Sequence, residues 1–446
     1  MNISASDVKD GKLTATVTVP AADVDAAIKK AYKEAAKKYR FPGFRPGRAP
    51  RPVIDSALGK EAVLAQATND LLGATEPSVL NELDIVPVKQ GDYNDVDLVA
   101  DGTDYTYTAT FPLRPAPELS SYEPVAIEMP PAEVTEGEID AQVEMLMGYH
   151  ATFEDAAEDH PAAEGDMLTL DVENIEGGES LAGTDRPFMV GGTAAPDGME
   201  NGIKGMKAGE TKEIEFPVEH DDHTHDVKVK VTVKTIKERK LPELTDEFTK
   251  TNFGFDDIAA MRDAIKGELE QDKASKLPGI KENRCVAELA KRLQLDEMDP
   301  DYEQSIFSEL GQNFLSSLSQ RGMTLDTWLQ ANGMSSEQFV SDLHHQADDV
   351  ARESLALDAL ARELKVEVTD EDVDQEFASA GVKDAEASKK QFIAEGRMPA
   401  VRDSIRRSKA VDWLVENAQV TEVDEYAKDA EGEGDAEAAE KAADAE

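Results

Sequence analysis

Residues 41–50, Phe-Pro-Gly-Phe-Arg-Pro-Gly-Arg-Ala-Pro, form the most informative stretch of this sequence for its fold. Three prolines and two glycines in ten residues are typical of a loop rather than a helix or a strand. The loop displays Phe44, Arg45 and Arg48. It lies within residues 29–51, which carry five lysines, four arginines and one acid, whereas the whole chain has a net charge of −46. A cationic loop on an anionic body predicts docking to a polyanion or to an acidic partner.

The segments on both sides of this loop have helical periodicity, residues 21–39 before it and residues 52–83 after it. Apolar residues alternate with polar ones at residues 13–19 and again at 105–111, which predicts two half-buried strands. Residues 1–115 are therefore predicted to form an α+β domain in which the loop joins two helices.

The loop sequence GFRPGRAP also resembles the G-F-R-x-G-x-x-P signature of trigger factor, the ribosome-associated bacterial chaperone. In that family the loop docks on the large ribosomal subunit near the exit of the nascent-chain tunnel. The resemblance extends over about residues 1–425, and it assigns ribosome binding to Gly43, Phe44, Arg45, Pro46, Gly47 and Arg48. The alternative is an ordinary turn between helices whose arginines are solvated.

The rest of the chain divides by pattern, and 446 residues suffice for roughly three domains. Residues 116–150 are predicted to be a proline-rich linker and a helix that opens with a capping box, Thr135 with Glu138. Residues 151–240 switch to a period of two, as in a small β-rich domain. Residues 241–425 are nearly all helical. Residues 426–446 are an acidic tail, predicted to be disordered because it offers little apolar surface to bury.

The predicted fold class is thus α+β multidomain. The resemblance implies an N-terminal α+β ribosome-binding domain, an inserted β-rich FKBP-like domain and an all-α C-terminal chaperone domain with arms around a cradle. Methionines and aromatic residues are scattered over the helical part, where they suit either core packing or weak binding of unfolded chains. They are Phe307, Phe314, Met323, Trp328, Met334, Phe377, Phe392 and Met398.

Residues 201–210, NGIKGMKAGE, resemble part of an FKBP-type peptidyl-prolyl isomerase module. Such a module binds an X-Pro amide in a dry aromatic pocket, which favours the twisted state at the top of a barrier of about 18–20 kcal/mol. The resemblance places the pocket at Phe188, Met199 and Ile203. Other pocket positions lack the expected rings or donors, so weak isomerase activity and a module kept for client contact both remain open. These positions are Val172, Leu181, Ala182, Ala195, Pro196 and Val229, as well as Met199 itself.

Metal and cofactor chemistry finds little support in the sequence. His220, His223 and His225 lie among aspartates in the segment HDDHTHD, which suggests a metal site, but a solvated hairpin loop between Phe216 and Val227 is the favoured interpretation. His344 and His345 are interpreted in the same way. No catalytic triad motif or phosphate-binding loop is present, and no cofactor is predicted. The single cysteine, Cys285, has apolar neighbours and is predicted to be a packed thiol.

Taken with the resemblance, these features predict a cytoplasmic, ribosome-associated chaperone and isomerase (rotamase). Its partners would be the ribosome and nascent or unfolded polypeptides, and it would assist folding and export; roles around cell division follow from the family. No signal peptide or membrane-spanning run is seen, and the acidity argues against DNA binding. A homodimer off the ribosome is left open. The alternatives are a stand-alone prolyl isomerase with helical positioning domains and a periplasmic chaperone–isomerase.

Overall fold

The structure is a computed structural model that describes residues 1–93, 96–157, 159–179, 181–192, 196–220, 223–381, 384–424 and 426. Helices and strands are mixed, with a β-rich central region and a helical C-terminal part. The chain divides into two compact units. One consists of Met1–Met129 with Pro278–Thr421, and the other of Pro130–Leu277 with the described residues from Glu422 onward.

The elements are numbered along the chain. The strands are β1 (Asn2–Ala5), β2 (Lys12–Val19), β3 (Tyr105–Pro112), β4 (Ala126–Met129), β5 (Thr152–Asp155), β6 (Met167–Glu176), β7 (Gly183–Met189), β8 (Thr211–His220), β9 (His223–Lys240) and β10 (Gln419–Glu422). The helices are α1 (Ala21–Lys38), α2 (Arg51–Leu58), α3 (Lys60–Leu83), α4 (Glu136–Gly148), α5 (Asp197–Ile203), α6 (Asp246–Asn252), α7 (Ile258–Ala290), α8 (Pro300–Gln320), α9 (Leu325–Asn332), α10 (Ser336–Glu363), α11 (Asp370–Ser379), α12 (Ala385–Ala394) and α13 (Met398–Asn417).

The N-terminal part of the first unit is a three-stranded antiparallel sheet in the order β1-β2-β3, with α1 and α3 packed in the same core. The two predicted strands are confirmed as β2 and β3. On β3, Tyr105, Tyr107, Ala109 and Phe111 are buried while the residues between them are more exposed, as their alternation predicts. This sheet and its helices provide the rigid base from which the loop at residues 41–50 projects.

The predicted helical character of residues 52–83 is confirmed, except for a break at one residue. The structure has two helices there, α2 and α3, separated by Gly59. Gly59 has a φ of +86°, a conformation that glycine adopts readily and that interrupts a right-handed helix. The apolar periodicity continues through the break because both helices face the same core.

The second unit contains a five-stranded antiparallel sheet, in which β9 pairs with β5, β6 and β8, and β7 adds to β6. Helix α5 packs on this sheet through two glycines. A Cβ at Gly198 would lie 2.3 Å from the Cβ of Phe216, and one at Gly202 would lie 2.5 Å from the Cγ2 of Ile214. Both positions therefore exclude a side chain.

The predicted capping box at the start of α4 is confirmed. The N–H of Glu138 donates to the Thr135 hydroxyl, and the Glu138 carboxylate accepts from the N–H of Thr135 at 2.9 Å. Helix α4 then buries Ile139 and Val143 in a small core to which α7 contributes Met261. The cap and the apolar face together fix α4 on its neighbours within the second unit.

The helical part of the first unit carries its own cores. Helices α11 and α13 bury Val373, Phe377, Met398 and Ile405 together. Strand β10 pairs with β4 in a two-stranded sheet. Strand β10 lies in the region that the sequence predicts to be nearly all helical.

Ion pairs connect α13 to α10 and to the end of α3 within the first unit. Asp358 on α10 accepts two hydrogen bonds from Arg407 on α13, at 2.7 and 2.9 Å. Asp84, at the end of α3, is bound by Arg402 and Arg406 of α13. Burial alone would raise the pKa of Asp84, but the hydrogen bonds from Arg406 and Arg402 outweigh it and lower the pKa below the usual range.

Two further features concern the single cysteine and the search for membrane-spanning helices. Cys285 is fully buried, as predicted, and burial raises the pKa of its thiol. In the described part of the chain, no helix is both long and apolar enough to cross a membrane.

Candidate functional site

The loop that follows α1 consists of two consecutive β-turns, residues 41–44 and 45–48. In each turn the carbonyl of the first residue accepts a hydrogen bond from the N–H of the fourth, at 3.1 and 3.0 Å. Each has proline second and glycine third, and the φ angles of Gly43 and Gly47 are +84° and +79°. These are the features of type II turns, in which glycine avoids the strain that a side chain would cause. Pro46 presets the second turn in the same way as its counterpart presets the first.

The base of the loop is fixed while its tip is exposed. Phe41 is only 6% exposed and belongs to the N-terminal core, and the N–H of Gly47 donates to the carbonyl of Ala36 in α1 at 2.7 Å. Between these anchors Phe44 remains 41% exposed, which is unusual for a phenylalanine. The anchors hold this ring and the adjacent Arg45 outside the core.

The far end of the loop is held by a cluster at the start of α2. The Arg51 guanidinium lies 4.7 Å from the centre of the Tyr32 ring and pairs with Asp101 at 3.0 Å. The Tyr32 hydroxyl donates to Asp55 at 2.5 Å. Burial and this hydrogen bond raise the pKa of Tyr32 to about 12.

The basic residues around the loop form a surface that we call the cationic face. It comprises Lys29, Lys30, Lys33, Lys37, Lys38, Arg40, Arg45 and Arg48, which are all exposed. None of the eight forms an ion pair with a carboxylate of the described residues, whereas Arg51 does. The loop arginines were predicted from the sequence. The lack of ion-pair partners among the described residues could not be predicted, since it depends on which acids the fold brings near.

The lysines of α1 continue the surface of the loop. Lys29, Lys33 and Lys37 follow one another at one-turn spacing along the helix. A Cβ at position 47 would lie 3.4 Å from the Cγ of Lys37, so the helix and the second turn are in van der Waals contact. The positive charge therefore continues from the loop along one side of α1.

The three residues predicted to form a prolyl pocket lie in one cluster of the second unit. Phe188, Met199 and Ile203 are 7%, 3% and 0% exposed, and Val172 and Val229 are buried in the same core. Their side chains are thus packed together in the interior. Residues 193–195, which include one predicted pocket position, lie outside the described residues.

The histidine-rich segment is part of a hairpin. The ladder between β8 and β9 continues as far as the pair His220 and His223, so the predicted loop between Phe216 and Val227 is wrong except at its tip. The side chains of its histidines lie outside the described part. Among the residues that the structure describes, no three potential metal ligands come together. On α10, His344 stacks on Phe307 with ring centres 4.2 Å apart.

The scattered methionines and aromatic residues have two different environments. Met398 and Phe377 are buried in the core between α11 and α13, which matches the packing interpretation. Phe314 and Trp328 contact each other and Phe339, with ring centres 5.1 to 5.9 Å apart, and stay partly exposed. Nearby elements also expose apolar side chains, which include Leu315, Met323 and Val340.

Two family models match the chain. One, described as bacterial trigger factor protein, matches residues 1–146, and the other, described as its C-terminus, matches residues 257–416. A trigger factor of Lysinibacillus sphaericus is 30% identical over 418 residues, which cover 92% of this chain and 97% of that protein. The chain belongs to the trigger factor family. A trigger factor of Halothermothrix orenii is 28% identical over 94% of this chain and 100% of its own length.

A solved structure of a trigger factor is also similar, at 20% identity and a TM-score of 0.38 over 93% of this chain and 99% of that one. It was published as "Promiscuous Substrate Recognition in Folding and Assembly Activities of the Trigger Factor Chaperone". The trigger factor family is a family of chaperones. The loop at residues 41–50 falls within the first family match, and the helical part falls within the second.

Proposed function

We propose that this chain is a ribosome-associated chaperone, which docks through the loop at residues 41–50 on the large ribosomal subunit near the tunnel exit. The observation that carries the proposal is the cationic face, which keeps its charges unpaired among the described residues in a chain of net charge −46. Ribosomal RNA is a polyanion, and its phosphates attract lysine and arginine by releasing counterions. Exposed Phe44 supplies an apolar contact beside these charges.

The rigidity of the loop supports a docking role. Two type II turns and anchors at Phe41 and Gly47 hold the tip in one conformation before any partner binds. A preorganised loop loses little conformational entropy on binding, so more of the contact energy appears as affinity. We assign the docking contacts to Gly43, Phe44, Arg45, Pro46, Gly47 and Arg48.

We further propose that the helical part, residues 241–425, holds nascent and unfolded polypeptides. Exposed Leu315, Met323 and Val340 offer separate apolar contacts there. Flexible side chains such as methionine adapt to many sequences, as a chaperone requires. In this scheme the ribosome-docking domain comprises residues 1–115, and the linker to the FKBP-like domain comprises residues 116–150. The FKBP-like domain itself comprises residues 151–240, and the accessory tail comprises residues 426–446.

The FKBP-like region is proposed to have low isomerase activity. Catalysis of this type depends on an aromatic, dry cavity that receives the X-Pro amide. Here Met199, Val172 and Val229 stand at positions where rings are expected, and all three are buried. We assign any remaining activity to Phe188, Met199 and Ile203. We propose that the protein acts in the cytoplasm, where ribosomes are found, and assists folding and export without a cofactor. A homodimer off the ribosome is compatible with this proposal.

Co-sedimentation with ribosomes tests the docking proposal. The variant in which Phe44, Arg45 and Pro46 are all alanine should no longer sediment with ribosomes, while its thermal midpoint stays close to that of the wild type. The matched control is Arg321→Ala with Met323→Ala, which removes an exposed arginine and an exposed apolar side chain from the helical part. Undiminished sedimentation of the triple variant would refute the proposal.

A prolyl-tetrapeptide assay tests the isomerase proposal separately. The wild type should be far slower than an FKBP module with an aromatic-rich pocket, and Phe188→Ala should remove the residual rate. A wild-type rate equal to that of the aromatic-rich module would contradict the assignment. If ribosome binding were also absent, the alternative of a stand-alone isomerase would be favoured.

A further inference from the structure

A cavity of about 390 Å³ lies within the first unit, where four segments of the chain meet. These segments are the residues just after α3, the residues just after β3, the end of α10 with the residues that follow it, and α13. The volume is at the lower end of the range for small-molecule sites. The residues that line the cavity are different from those assigned above to docking and to prolyl binding.

The acids in the wall of the cavity are held by arginines. Arg114 lies 3.3 Å from Asp358 and also pairs with Asp403. Arg406 binds both Asp403 and Asp84. Each carboxylate that lines the cavity is therefore paired, and a paired carboxylate repels an incoming anion much less than a lone one.

Two further cations line the same cavity. Arg362 and Lys365 are exposed, and within the part of the chain that the structure describes they form no ion pair with a carboxylate. Arg362 donates one hydrogen bond, to the carbonyl of Pro117 at 2.6 Å, and keeps its other donors for a ligand. A chain of net charge −46 thus has two cations without a carboxylate partner beside a cavity, which favours an anionic ligand.

The backbone at Lys365 is unusual for its residue type. Its φ is +53°, in the left-handed region, just after the end of α10. Its N–H donates to the carbonyl of Arg362 at 3.1 Å, and the N–H of Val366 donates to the carbonyl of Ala361 at 3.0 Å. Glycine most often ends a helix in this way, because a side chain is strained there. The sequence instead places an ammonium group at this position on the cavity wall.

Much of the remaining wall is apolar. Ile85, Val86, Leu113 and Val366 line the cavity and are only half-buried, so a ligand that covers them removes apolar surface from water. The N–H groups of Ile85, Leu113 and Val366 already donate to backbone carbonyls, and Pro115 has no N–H. A peptide backbone needs partners for its own amide groups. This wall therefore suits a ligand without amide groups better than it suits a peptide.

We propose that this cavity binds a small organic acid with an apolar body, such as a medium-chain fatty acid. Its carboxylate pairs with Arg362 and Lys365, and its apolar body covers the half-buried side chains of the wall. A guanidinium presents its donors in a planar fork that matches the two oxygens of a carboxylate. Because such a ligand contacts segments from four parts of the first unit in the folded state, it stabilises that state and raises the thermal midpoint.

Isothermal titration calorimetry of the full chain at low salt tests the class of ligand, with octanoate as the probe. Octanoate should bind saturably. Octylammonium and 1-octanol keep the apolar body without the negative charge, acetate keeps only the carboxylate, and each should bind at least about tenfold more weakly. A tripeptide with a blocked N-terminus and a C-terminal leucine, which carries both a carboxylate and amide groups, should also bind more weakly. Absence of saturable octanoate binding, or equal binding of octylammonium or of the peptide, would overturn the proposal.

Substitutions locate the bound octanoate. Lys365→Gly removes the ammonium group at a backbone conformation that glycine adopts readily, so the thermal midpoint of the free chain should not fall. This variant should bind octanoate about 5- to 10-fold more weakly, and adding Arg362→Gln should weaken binding further. The matched control, Arg321→Gln with Lys390→Gln, removes two exposed cations that form no ion pair within the described part of the helical region.

The control should bind octanoate like the parent chain, and its thermal midpoint should rise equally in saturating octanoate. Full affinity of Lys365→Gly, or an equal loss of affinity in the control, would show that octanoate binds elsewhere and would overturn the proposal. Lys365→Gly decides the question by itself if the chain with both substitutions in the cavity does not fold.

Discussion

Replacement of Gly43 by alanine tests whether the conformation of the loop, and not only its charge, determines docking. Gly43 has a φ of +84° and no atom within 4 Å of the position of a new Cβ, so the variant creates strain without a clash. An L-residue in this region costs about 1–2 kcal/mol. If docking requires the turn, this strain should lower the apparent affinity for ribosomes by about 5- to 30-fold, because each 1.4 kcal/mol corresponds to a factor of ten.

The chain offers a matched control for this strain. Gly205 in the second unit has a φ of +83° and also has no atom within 4 Å of a new Cβ. Gly205→Ala should therefore lower the free energy of unfolding by about as much as Gly43→Ala does, and it should leave the ribosome affinity unchanged. Affinities can be measured by fluorescence anisotropy at fixed salt, with circular dichroism to check the fold. Full affinity of Gly43→Ala, or an equal loss in Gly205→Ala, would refute the reasoning.

Three other predictions concern stability. Gly202→Ala should lower the free energy of unfolding by about 1–3 kcal/mol, because the new methyl group would lie 2.5 Å from Ile214, and a thermal melt that matches the wild type would contradict this. Asp358→Asn should lower the free energy of unfolding in urea by about 3 kcal/mol, because it removes the carboxylate that pairs with the Arg407 guanidinium, and the Asp358 side chain is only 14% exposed. A loss below about 1 kcal/mol would show that the ion pair is replaceable. In the folded protein the pKa of Asp84 is lower than in the unfolded chain, where an aspartate has a pKa near 4. The ionised carboxylate therefore stabilises the fold above about pH 4, and this stabilisation is lost as the pH falls below that value. The stability difference between wild type and Asp84→Asn should therefore shrink below about pH 4, and a constant difference would argue against the ion pair.

The N-terminal sheet shows what the sequence can predict. On β3, threonines alternate with the apolar residues Tyr105, Tyr107, Ala109 and Phe111. When one face of a sheet is buried, this alternation predicts a strand whose apolar side chains all lie on the buried face. The loop at residues 41–50 is predictable for a similar reason, since Pro-Gly pairs occur at the second and third positions of both turns.

Other features depend on long-range contacts that local patterns do not encode. The break at Gly59 is hidden because the apolar periodicity runs through it, and one glycine in a helical pattern is often tolerated. The pairing of β4 with β10 brings together segments far apart in the sequence, each only four residues long. For the cationic face, the sequence shows the charges, but it does not show that they have no ion-pair partner in the part of the chain that the structure describes.

Photo-crosslinking from the loop tests the central claim most directly. A photoreactive benzoyl-phenylalanine is placed at Phe44, and in a control chain at Tyr149, an aromatic residue in the second unit that is 78% exposed. Both chains are mixed with ribosomes and irradiated. The account predicts crosslinks to the large subunit from position 44 and few from position 149. Ribosome binding without crosslinks from position 44, or equal crosslinking from both positions, would contradict it.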